Sequence, residues 1–393
     1  MNTDKYIFVN NILDISFCPT CFVAIRGKVF KIRRIGKLTF IILFDQTDKC
    51  QIVAENMNTR TIQKGDYLLV RGEKKYSERS LEILAKEISI LNNLKSENLG
   101  SRILESKIDS LIYKSIALQS INEFMGSKSF LPVISPTIVG NWVEGKTNSF
   151  RVDYYGKDKY LTLNNMLYHQ IMLISGYSRI YEMSKIFRQD KSSHRDRLSE
   201  FISVDISMSF SESSDIMTLV EDLILFIIER FSAHKIEVKV PINFKRISFS
   251  NLIKAIGVQS VTGAQLPSKA REYLTQHFDS FVWVYGFPEE KRRFFVRSTN
   301  GKSHDYQLWY KGEHQIASGS EREMDLETLY YKLEREGKKT IHFDEYFEYF
   351  KGAVPSMSEI GFGIDRFLLD VLGGKCIEDF VAFPRTSKSE FNL

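Results

Sequence analysis

The chain has 393 residues, 43% of them hydrophobic and 26% charged, with a net charge of +5. That apolar fraction excludes a disordered chain, and no apolar run reaches the roughly 18 residues a membrane span needs. The modest basic excess permits a polyanionic partner without requiring one, and the length is enough for two or three domains.

The N-terminal MNTDKYIFVN has no signal-peptide layout, so a cytoplasmic protein with no membrane partner is expected. Cys18-Pro-Thr-Cys21 is a lone CxxC; Cys50 and Cys376 supply no second pair, so reduced thiols are expected rather than zinc ligands. From 22 to 93, FVAIRGKVFKI, LTFIILFDQ, KCQIVAEN, GDYLLVRGEKK and SLEILAKEISIL read as five short strands with turns between them. Five strands in about 70 residues without a long helix predict a small closed barrel of the OB type, a fold that often binds single-stranded nucleic acid.

Residues 94–112 are polar and punctuated by Gly, and read as a linker. A helix follows in DSLIYKSIALQSINEFMGSKS, then FLPVISP places Pro136 after a short strand. Strands dominate 130–210 and 280–320, with a helix (DIMTLVEDLILFIIERFSA) between them and a helical insertion near 248–277. The chain closes with IGFGIDRFLLDVLG, a strand running into an amphipathic helix. The fold class is therefore α+β, an antiparallel sheet flanked by helices behind an N-terminal five-stranded barrel. The expected boundaries are 1–93 for the barrel, 94–112 for the linker and 113–393 for the larger domain.

Two stretches stand out, the first of which by its residues alone reads either as a phosphate-binding loop or as a solvated hairpin tip. RIYEMSKIFRQDKSSHRDRLSEF (179–201) is a strand, a loop dense in Arg, Lys and His, and a second strand. Arginine offers a planar fork that matches phosphate oxygens. Gly361-Phe-Gly363-Ile-Asp365-Arg366 precedes an apolar helix, where a guanidinium can stack on a base.

In this order the two stretches resemble the second and third signature motifs of class II aminoacyl-tRNA synthetases, and the helix with FLPVISP is similar to the first. The barrel ahead of them resembles the aspartyl, asparaginyl and lysyl subgroup. GSERE (319–323), GEHQI (312–316) and the terminal FPRTSKSEF look closest to the asparaginyl enzymes. The resemblance implies a ligase of protein biosynthesis. It would activate an amino acid, asparagine first, as an adenylate and transfer it to tRNA, with ATP and Mg²⁺, as a homodimer.

The resemblance also assigns roles. Arg188 would hold the ATP α-phosphate and the amino-acid carboxylate. Arg197 stands where a histidine usually approaches the γ-phosphate. Phe201 and Arg366 would sandwich the adenine, and Asp190 replaces the second motif's glutamate. Arg322 would read the substrate side-chain oxygen, His169 falls at the aspartyl lysine position, and Glu144 precedes a substrate-covering loop. Phe40, Gln51 and Glu82 would grip a central anticodon uridine, by stacking and by a donor and an acceptor.

Several positions depart from the pattern. Gln307 and Gln315 stand at the metal-binding Asp and Glu, so Mg²⁺ should bind more weakly. Asp305 and Glu313 lie two residues upstream, each on the strand face of the glutamine it precedes. Met166 replaces the glutamine that binds the substrate amino group, and Ser356 follows the late Pro355 where a histidine is usual. Two further readings therefore stand beside the first. One is a paralogue that activates a different carboxylic acid or uses tRNA in a non-translational ligation. The other is a non-catalytic tRNA-binding protein.

Overall fold

The computed structural model describes residues 6–19, 21–45, 47–76, 81–92, 107–140, 149–189, 197–238, 240–258 and 266–388. The chain divides into two compact units, Met1–Ile108 and Asp109–Leu393. Among the described residues no helix is long and apolar enough to cross a membrane.

The first unit is a β-barrel. Its strands are β1 (Ile7–Phe8), β2 (Phe22–Ile35), β3 (Leu38–Phe44), β4 (Lys49–Glu55), β5 (Tyr67–Tyr76) and β6 (Leu81–Asn92). They run in the order β1-β2-β3-β4-β6-β5, and β2 also pairs with β5, which closes β2–β6 into a ring. The strict alternation of LTFIILF sends Ile41 and Leu43 inward to Cys50, Ile52, Val23 and Val70. Closure requires a glycine at 72: a Cβ there would lie 2.5 Å from Ile83 and from the Leu84 carbonyl, beside a register shift at Arg71/Gly72. All four cysteines are free, and burial, reinforced by Asp48 and Glu82, pushes the Cys50 thiol up to about 12.

The second unit opens with helix α1 (Ile108–Ser127), which begins inside the span read as a linker. The strands of this unit are β7 (Leu131–Pro132), β8 (Ile138–Val139), β9 (Arg151–Tyr154), β10 (Lys157–Leu161), β11 (Arg179–Phe187), β12 (Glu200–Ser209), β13 (Phe244–Ser248), β14 (Phe281–Tyr285), β15 (Ser298–Thr299), β16 (Lys302–Ser303), β17 (Asp305–Tyr310), β18 (His314–Glu321) and β19 (Met357–Phe362). Eight of them form one sheet in the order β13-β14-β17-β18-β19-β12-β11-β7. Its interior pairings are antiparallel; the outermost pairs, β13–β14 and β7–β11, are parallel. The helices after α1 are α2 (Met166–Ile174), α3 (Ser213–Ala233), α4 (Phe249–Ala255), α5 (Ser268–His277), α6 (Leu326–Arg335), α7 (Asp344–Glu348) and α8 (Ile364–Leu372). Helices α4 and α5 occupy the stretch expected to be a helical insertion.

Strand periodicity gives this sheet two unlike faces. Val204, Ile206, Tyr306, Leu308, Ile360 and Phe362 point into a core built with Ala117 and Ile121 of α1, Val220 and Ile227 of α3, and Phe367 of α8. Their neighbours in sequence are polar or small and point the other way. Register lines them up in two rows across five strands: Glu182–Asp205–Gly361–Ser318–Gln307, and Ile180–Ser207–Glu359–Ser320–Asp305. These rows are the floor of the site.

Candidate active site

A cavity of about 370 Å³ opens over the floor. Arg188, Arg197, Phe201, Gln307, Gln315, Arg322 and Arg366 all line it, so seven of the expected site residues converge. Arg188 follows the end of β11 and is fixed by a backbone hydrogen bond from its N–H to the Ser199 carbonyl at 2.9 Å. Its guanidinium lies 5.3 Å from the Phe201 ring centre, across the β11–β12 hairpin. Arg366 sits in the first turn of α8 and donates from Nη1 to the Gln315 carbonyl at 3.1 Å. Glu144 and Asp190 lie outside the described residues.

Arg322 is only 2% exposed. Its Nε pairs with the Glu359 carboxylate, its Nη2 contacts Met166 Sδ at 2.8 Å, and its guanidinium stacks 4.4 Å from the centre of Phe295. Gln170 Nε2 also donates to Glu359, at 2.9 Å.

His169 is a correction. It does not line the cavity but is fully buried behind it, with Nδ1 2.8 Å from Ser207 Oγ and Nε2 3.1 Å from Glu182. Met166, one turn earlier on α2, lines the cavity, whereas the His169 ring is held behind it by Ser207 and Glu182. Burial pulls the imidazole pKa down, but the Glu182 hydrogen bond and the charges of Glu359 and Asp205 outweigh it, and the net shift is upward.

Glu313 is a second correction. It is not on the strand face beside Gln315; it is exposed in the turn before β18, which starts at His314. Asp305 does line the cavity, but its carboxylate receives Arg292 Nε at 2.7 Å and the Ser303 hydroxyl.

Three residues of the site escaped the sequence reading, Asp205, Glu359 and Arg292, as did the pairing of Asp305 with Arg292. Asp205 is 2% exposed, lines the cavity, and accepts from Ser203 Oγ at 2.6 Å through Oδ1, while Oδ2 has no hydrogen-bond partner. Burial pushes its carboxyl up to about 6. Gly361 makes room for it, since a Cβ there would stand 3.1 Å from Asp205 Oδ1 and 3.3 Å from Met166 Cε.

In the barrel, Phe40, Gln51 and Glu82 share the outer face of β3, β4 and β6. Register pairs Phe40 with Val53, Ile42 with Gln51, and Gln51 with Glu82. Gln51 Nε2 donates to Glu82 Oε1 at 2.7 Å.

The family described as tRNA synthetases class II (D, K and N) matches residues 99–387, and the OB-fold nucleic acid binding domain matches residues 23–91. The chain belongs to the class II tRNA synthetases. Among curated proteins it is 27% identical over 412 residues to the aspartate–tRNA(Asp/Asn) ligase of Methanopyrus kandleri, covering 93% of this chain and 95% of the relative. The corresponding ligase of Methanococcus aeolicus is 29% identical over 408 residues, covering 92% and 93%.

The asparaginyl-tRNA synthetase of Pyrococcus horikoshii, solved with asparaginyl-adenylate, has the same fold (TM-score 0.82, 22% identity, 95% of this chain and 96% of that one). So does that of Entamoeba histolytica with the same adenylate (TM-score 0.84, 19% identity, 97% and 99%). The protein is thus a ligase of the aminoacyl-tRNA synthetase type, with an OB-fold domain and a class II core.

Class II synthetases use ATP and Mg²⁺, but the donors at the expected metal position do not fit the ion. Mg²⁺ is normally held through carboxylates. Gln307 and Gln315 are neutral, and Gln307 Oε1 already accepts from Trp309 Nε1 at 3.1 Å.

Proposed function

We propose that the chain activates asparagine with ATP and transfers it to a tRNA. The observation that supports asparagine over aspartate is the buried pair of Arg322 with Glu359. A substrate carboxylate needs an uncompensated cation in a desolvated pocket, whereas an amide needs only a donor and an acceptor. Arg322 is already neutralised, and His169, at the position read as a lysine in aspartyl enzymes, is turned away into the Glu182–Ser207 cluster.

The substrate ammonium would meet Asp205, whose Oδ2 lacks a partner and which takes the place of the acceptor lost at Met166. The α-carboxylate, held by Arg188, attacks the α-phosphorus; a new P–O bond forms, the bond to the β-phosphate bridge breaks, and pyrophosphate leaves. The adenine would lie between Phe201 and Arg366. A terminal ribose hydroxyl of tRNA then takes the acyl group and AMP departs. The protein's part is orientation and charge neutralisation. The reading includes a homodimer, tested by light scattering, and anticodon contact through Phe40, Gln51 and Glu82.

The relatives named for aspartate favour a second reading, in which aspartate is the substrate. ATP–pyrophosphate exchange with asparagine and aspartate separately, followed by tRNA charging, separates the two. Exchange with asparagine alone upholds the proposal, and exchange with aspartate alone overturns it. Exchange only with some other carboxylic acid points to a paralogue.

A further inference from the structure

We infer that Arg292, anchored by Asp305, supplies the counter-charge for a bound triphosphate in place of a carboxylate-held divalent cation. The inference rests on the ATP-binding reading above and goes beyond it.

The first support is the donor set. Among the described residues three carboxylates line the cavity: Asp305 is held by Arg292 and Ser303, Asp365 is paired with Lys114 Nζ at 2.5 Å, and Asp205 accepts from Ser203 through Oδ1 and keeps one oxygen, Oδ2, for the substrate ammonium. The only cluster of metal-type ligands among the described residues, Glu313, His314 and Asp370, does not line the cavity.

The second support is the charge balance. Among the described residues six arginines line the cavity (188, 197, 292, 293, 322 and 366) against those three aspartates. A divalent cation entering alone would meet net positive charge, whereas a polyphosphate would be attracted.

The third is the way Arg292 is built in. It is held at Nε by Asp305, and its guanidinium carbon lies over the Phe287 ring, 3.9 Å from the ring centre. Asp305 is the first residue of β17, two positions from Gln307 and on the same face. The strand that lacks a metal-binding carboxylate thus carries, one pleat away, a carboxylate that fixes a cation belonging to the protein itself. A planar fork so fixed can bind phosphate oxygens with little loss of side-chain freedom.

The test is calorimetric titration of the full chain with ATP, in excess EDTA and in excess Mg²⁺. The expected result is similar affinity in both. R292Q should lose about tenfold or more in either condition, as for one charge-assisted contact. R292Q/D305N, which leaves no orphaned buried carboxylate, should show the same loss and separates the effect from misfolding. Adding Q307D/Q315E to that background should recover binding only with Mg²⁺.

ATP binding by the unmodified chain only when Mg²⁺ is present would overturn the inference and leave the synthetase reading intact. So would unchanged binding in a folded R292Q/D305N. No ATP binding in either condition overturns the synthetase reading itself, and the inference with it.

Discussion

Asp205 makes the site's pH dependence predictable. With its carboxyl raised to about 6 by burial, it is charged above that pH and neutral below it. If it receives the substrate ammonium, KM for the amino acid should rise as pH falls through about 6 while kcat changes little. D205N should keep KM high at every pH. The folded pKa exceeds the ordinary value of 3.8, so the native state favours the neutral form and its stability falls as pH rises through 6. D205N should therefore melt no lower than wild type at neutral pH. A D205N chain that unfolds would assign the carboxylate a structural role instead.

Glu321 has the opposite sign. Burial raises its pKa, but hydrogen bonds from His304 and from the Ser213 N–H and hydroxyl bring it down to about 2. Its stabilisation is present above the ordinary 4.5 and is lost as pH falls towards 2. E321Q should flatten the stability profile across that window, as measured by urea titration at a series of pH values.

Among the elements, the paired rows on the sheet do most to build the site, and they mark where sequence reading ends. The barrel strands were legible because one apolar face alternates with one polar face in LTFIILF and KCQIVAE. The hairpin arginines and Arg366 were legible because their motifs are local. Asp205 was not, since EFISVDISMS shows only one more polar residue in an alternating strand; its importance comes from Gly361 and Glu182 on the neighbouring strands. Arg292 sits in EEKRRFF, which reads as a solvated charge run until Asp305, thirteen residues later, folds back beside it. His169 was misplaced because residue type at an aligned position does not reveal the buried partners, Ser207 and Glu182, that hold the ring behind the cavity. At this scale G361A is the informative change. Its Cβ would crowd Asp205 and Met166, so amino-acid affinity should fall in equilibrium dialysis while ATP affinity holds.

For the whole molecule, two units with separate cores predict separable defects. F40A in the barrel should weaken tRNA binding by about 1–3 kcal/mol if a base stacks there, measured by filter binding. Pyrophosphate exchange without tRNA should be unchanged by the same substitution. A loss in both would mean that the barrel substitution disturbs the larger unit, and no loss in either would remove the anticodon assignment.

The hydrogen bond from Trp309 to Gln307 links this position to its neighbours. Q307D on its own would set a second carboxylate one pleat from Asp305 and exchange the indole's amide acceptor for a shorter carboxylate. If Arg292 and Asp305 act as inferred above, an aspartate at 307 fits only a chain in which that pair has also been changed, so a metal site could not be installed here one residue at a time.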